Sequence, residues 1–90
     1  IFMKTPLTPE ILWDRMYGNP EVNSFFRKFK LTEEEVYKLS IMKLENSWYV
    51  RIFYSGYLNP TDHGLGINRE INYLEELVEI ESLIEKKINS

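Results

Sequence analysis

There is no cysteine in this 90-residue chain, and only one histidine. The first absence excludes a disulfide framework, a thiolate nucleophile and Cys-ligated zinc, and it fits a reducing compartment. The second leaves too few imidazoles for a transition-metal site, so no cofactor is expected. No apolar run approaches the roughly 18 residues of a membrane span, and the N-terminus lacks the basic, apolar and small-residue order of a signal peptide. A cytoplasmic protein with no membrane partner is therefore expected. A dense basic stripe is missing too. Arg27-Lys28-Phe29-Lys30 is the one basic cluster, too little phosphate-neutralising charge for nucleic-acid binding.

What is present is ordinary globular material, 43% hydrophobic and 28% charged. At this length it builds one modest core, so residues 1–90 read as a single domain. The net charge of −3 is unevenly spread: five basic and three acidic side chains in the first thirty residues, three basic and seven acidic in the last thirty. An acidic tail steers association toward a basic protein partner, although Glu alternating with Lys also simply solvates a helix.

Thr8-Pro9-Glu10 is a helix start, with Thr8 as the cap and Pro9 in the first turn; the helix runs through Tyr17, and Gly18 is placed to end it. Asn19-Pro20 repeats that grammar, and Val22, Phe25, Phe26 and Phe29 recur at helical spacing. Two short helices are expected, meeting at a Gly-Asn-Pro corner. Thr32-Glu33-Glu34-Glu35 resembles a capping box, yet Tyr37, Leu39 and Ile41 alternate with polar neighbours. Residues 48–57 form a strand, with Trp48, Val50, Ile52 and Tyr54 on one face and Tyr49, Arg51, Phe53, Ser55 and Tyr57 on the other. Residues 37–44, across the turn Glu45-Asn46-Ser47, are its partner in an antiparallel hairpin. Residues 59–66 are a loop by composition.

Residues 69–88 admit two readings. As a helix, Ile71, Leu74, Leu77, Val78, Ile84 and Ile88 share one side, Glu75, Glu76, Glu79, Lys86 and Lys87 fall opposite, and Leu83 is misplaced. As two strands, Ile67, Arg69, Ile71 and Tyr73 alternate with Asn68, Glu70, Asn72 and Leu74, and Val78, Ile80, Ser82 and Ile84 with Glu79, Glu81, Leu83 and Glu85. Helix propensity favours the first. The expected fold is α+β: two short N-terminal helices, an antiparallel hairpin or small sheet, and a C-terminal helix packed on the sheet. Two strands alone are marginal, so either the tail adds one or a homodimer extends the sheet.

Chemistry is sparse. His63 beside Asp62 could serve as a general base, but no Ser or Cys is placed to form a nucleophilic pair, and a solvated loop histidine is the plainer account. Gly64-Leu65-Gly66 lacks the lysine of a P-loop. Glu33, Glu34 and Glu35 lack the ligand loop of a calcium site. The chain reads as a non-enzyme.

The aromatic residues carry more. Rings on both faces of the second strand mean that one face is covered by helices, and an open remainder would anchor a partner. The order Trp13, Gly18-Asn19, Val22, Phe25-Phe26, then Leu39 and Ile41, Val50 and Ile52, Asn59-Pro60 and Gly66-Ile67-Asn68 resembles small immunity proteins of bacterial polymorphic-toxin systems, over residues 13–68. Another Trp near the Pro loop, which that pattern would include beside Trp13 and Trp48, is absent. The resemblance implies a stoichiometric inhibitor of a protein partner, such as a basic toxin or effector, with no chemistry of its own. The expected contact residues are Tyr49, Phe53, Tyr57, Glu75, Glu76 and Glu79. The alternative is a structural or accessory subunit whose surface serves homo-oligomerisation.

Overall fold

The computed structural model describes residues 4–55 and 67–89. A helix, α1 (Pro9–Arg15), leads into a short strand, β1 (Tyr17–Asn19), and one 3₁₀ turn (Pro20–Val22). Strands β2 (Ser24–Lys30), β3 (Val36–Lys43), β4 (Trp48–Ser55) and β5 (Asn68–Ile71) follow, then helix α2 (Leu74–Ile88). The strands form one antiparallel sheet in the order β1-β2-β3-β4-β5. The α+β class and the C-terminal helix are as expected, and five strands from one chain leave no need for a second copy to widen the sheet.

The expected second N-terminal helix is absent. Phe25 and Phe29 are four apart, a spacing common to one helix face and one strand face, so periodicity does not separate the two. The strand wins because Phe25, Arg27 and Phe29 then share the inner face, while Ser24, Phe26, Lys28 and Lys30 point the other way in register with β3. The Asn19-Pro20 start does act locally: the Asn19 side chain accepts from Glu21 N–H at 3.0 Å. Asn23, at φ 51°, then turns the chain into β2 after a single turn.

The Thr8-Pro9 helix start works as read, whereas the expected stop at Gly18 does not. Thr8 Oγ1 accepts from Ile11 N–H at 3.2 Å. The helix ends before Gly18, at Arg15, with the Met16 N–H on the Leu12 carbonyl. Gly18 instead lies in β1 opposite Phe25. A Cβ there would stand 2.2 Å from the Ser24 carbonyl oxygen and 2.6 Å from Phe25 Cα, so glycine is what lets β1 close on β2. Thr32 accepts from the N–H groups of Glu34 and Glu35 at 3.2 and 3.1 Å, but this pattern shapes the β2–β3 turn and no helix.

Both readings of residues 69–88 hold in part: β5 takes the first residues and α2 the remainder. Glu76 makes the junction, its carboxylate accepting from Asn72 N–H at 2.8 Å and Tyr73 N–H at 3.1 Å. The stripe that α2 buries is Leu77, Ile80, Glu81 and Ile84. Val78, expected on that stripe, is exposed, as is Leu83.

Both helices pack on one face of the sheet. Leu12, Met16, Leu77, Ile80 and Ile84 meet Phe25, Tyr37, Leu39, Ile41, Trp48, Val50 and Ile71 in a single core. Burying each such side chain stabilises the fold by about 1.5–3 kcal/mol relative to exposure. At the rim, the Tyr54 hydroxyl donates to the Glu35 carboxylate. That hydrogen bond first, then desolvation and the nearby charge, pushes the phenol from its ordinary value near 10 up to about 12.

Gly18→Ala should cost about 1–3 kcal/mol through overpacking at the β1–β2 contact, read as a lower urea midpoint. The raised phenol of Tyr54 favours its neutral form in the folded chain. Its contribution is therefore complete below pH 10.0 and lost as pH rises through about 12. Urea midpoints across that window should fall more steeply in the parent than in Tyr54→Phe, and ultraviolet titration of the variant should lose a tyrosine step near pH 12.

Candidate functional site

Because α1 and α2 lie on the same side, the opposite face of the sheet carries no helix among the described residues. Strand alternation decides what it presents. One cross-strand row reads Tyr17, Phe26, Ser40, Arg51, Asn68; the next reads Asn19, Ser24, Met42, Tyr49, Glu70. A third row is Lys28, Lys38, Phe53. Tyr17 is 73% exposed, Met42 49% and Phe53 40%. Surface apolar residues scattered singly need no explanation, but these lie in adjacent rows.

The cations on this face are arranged against folding economy. Lys28 stands directly opposite Lys38, a like-charge pair that weakens a sheet. Among the described residues, none of Lys28, Lys38 and Arg51 forms a salt bridge. Lys38 lies over the Phe26 ring at 4.8 Å and Arg51 over Phe53 at 4.5 Å. These contacts hold the cations on the sheet surface and cover the ring faces.

Around the β1 edge the face turns into a groove of about 910 Å³ between the end of α1 and β2. Its walls include Trp13, Tyr17 and Lys28, with Arg15 and Arg27 at the base. Behind the two guanidiniums sits Glu81 of α2, only 4% exposed. Arg15 donates to one of its oxygens, and Arg27 Nη1 donates to the other at 2.6 Å. The buried carboxylate is thus fully partnered, and three elements far apart in sequence are joined at one point. Both arginine side chains remain about one-third exposed on the groove side, at 34% and 36%.

The expected contact residues divide between the two sides of the molecule. Tyr49 and Phe53 lie on the open face, with the Tyr49 hydroxyl donating to Asn68 at 2.8 Å. Glu75, Glu76 and Glu79 belong to α2, behind the sheet. Glu75 accepts from the Thr5 N–H at 2.5 Å and Glu76 makes the β5–α2 junction, so both serve the fold; Glu79 is exposed. Tyr57, Asp62 and His63, with the Gly64-Leu65-Gly66 segment, lie outside the described residues. Composition and spacing missed Lys28, Lys38 and Arg51, whose opposition depends on register. Glu81 left a readable mark, four residues after Leu77 and three before Ile84 on the apolar stripe. No group of three His, Asp or Glu side chains suited to a metal occurs among the described residues. Nor is any described helix long and apolar enough to cross a membrane.

Glu81→Gln should lower stability by about 1–3 kcal/mol, because each arginine loses a charge-assisted acceptor. Glu81→Leu should recover most of that loss, since an apolar side chain leaves no buried charge and the arginines can turn to solvent. Chemical denaturation of the two variants beside the parent checks the order. No protein-family model matches the chain, and neither curated proteins nor solved structures yield a match.

Proposed function

We propose that this chain is a stoichiometric protein-binding module, an inhibitor of the immunity type, that covers its partner with the open face of its sheet. The observation that carries this reading is that one sheet face holds Tyr17, Met42 and Phe53, all exposed, together with Lys28, Lys38 and Arg51, which form no salt bridge among the described residues. A like-charge pair kept on a sheet face weakens the isolated fold and strengthens a complex with an acidic surface. Aromatic rings and Met beside such cations supply the desolvated anchors of a protein interface.

This reading changes the chemistry expected of the partner. An acidic tail favours a basic protein, but two of its three named carboxylates are engaged by the backbone. The open face favours a partner that presents carboxylates. The same charges argue against homo-oligomerisation through this face: a two-fold pairing would set Lys28, Lys38 and Arg51 of one copy against the same set on its mate. Single-stranded nucleic acid fits less well, because Lys38 and Arg51 already occupy the ring faces on which bases would stack.

A photo-crosslinking residue placed at Phe53 should capture one discrete protein in host cells, and the same residue at Glu79 should not. With that protein purified, titration calorimetry should give one-to-one binding, and Arg51→Glu should weaken it about tenfold or more. Equal capture from position 79, crosslinking only to a second copy of the chain, or recovery of nucleic acid alone would each count against the proposal.

A further inference from the structure

We infer that the groove between α1 and β2 is a carboxylate-binding site that receives an acidic segment of the protein partner. This rests on the open-face reading and adds the place where the partner's negative charge is anchored. The groove holds Arg15, Arg27 and Lys28 against Asp14 and the buried Glu81, which leaves one net positive charge. Each guanidinium carries five N–H donors and gives one to Glu81. Held from behind and about one-third exposed, the two forks are pre-oriented for a carboxylate at little entropic cost.

The size and charge of the site select the ligand class. One net positive charge, with Asp14 in the wall, suits single carboxylates better than a phosphate carrying about two negative charges. The rings of Trp13, 56% exposed, and Tyr17 flank the cations, and they would pack against the aliphatic part of a Glu or Asp side chain. The direction of the segment follows from the surroundings. Beyond Trp13 lies a smaller hollow of about 370 Å³ that includes Glu10 and Asp14, which repels an acidic chain. On the other side, Lys28 leads across the strands to Lys38. The partner's segment therefore begins between the arginines and runs past Tyr17 onto the sheet.

The test is a titration of the whole chain with a blocked oligoglutamate peptide, followed by NMR of the arginine Nε–H and tryptophan indole N–H groups. Arg15, Arg27 and Trp13 should shift saturably, while Trp48, buried under the sheet, should not. Lys28→Glu should weaken the peptide about fivefold. It should also hold or raise the urea midpoint, because it converts the Lys28–Lys38 opposition into an opposite-charge pair. Trp13→Ala, which leaves the Glu81 contacts in place, should weaken binding as well. A shift at Arg51 without shifts at Arg15 and Arg27 would overturn the groove and leave the open-face reading standing. No shift anywhere would remove the acidic preference from both. Equal response to oligolysine, or tighter binding of oligothymidylate or inorganic phosphate, would overturn a carboxylate site.

Discussion

The buried carboxylate of Glu81 is the constraint around which this small protein is arranged. It is one of only two polar residues among the buried positions described, and its two oxygens are divided between an arginine from α1 and an arginine from β2. Hydrophobic burial supplies the driving force for folding, but it is indifferent to direction. A charged acceptor with two fixed donors is not. It requires α1 and α2 to meet over β2, on the same side of the sheet, so that neither described helix covers the opposite side.

One-sided packing gives the molecule two unlike surfaces. The outer side of α2 carries glutamates and lysines in helical alternation, whereas the other face of the sheet carries rings, a methionine and, besides Glu70, basic side chains. The net charge of −3 averages over both and describes neither. Reading polarity from the whole chain points to a basic partner; reading it by face points to an acidic one.

How much of this was legible in the sequence depends on the kind of interaction involved. Local chemistry was readable: the Thr8 cap, the turn between β3 and β4, and the alternation that puts Trp48, Val50 and Ile52 inward and Tyr49 and Phe53 outward. Elements that require tertiary information were not. Phe25 and Phe29 satisfy two periodicities, and pairing with β3 decided between them. Residues 67–88 held features of strand and helix because the chain uses each in turn, with Glu76 at the boundary. The groove was the least legible part, since Arg15 and Arg27 reach Glu81 across 66 and 54 residues.

The brevity of β1 has a consequence of its own. It accompanies β2 only as far as Phe26, so Arg27, Lys28, Phe29 and Lys30, paired with β3 on one side, have no strand on the other side among the described residues. Such a margin is where like chains stack into fibrils, and charged side chains along it are a recognised deterrent. The lysines on either side of Phe29 thus act as gatekeepers of solubility. Neutralising them would expose the cell to polymerisation even if the folded monomer gained in stability.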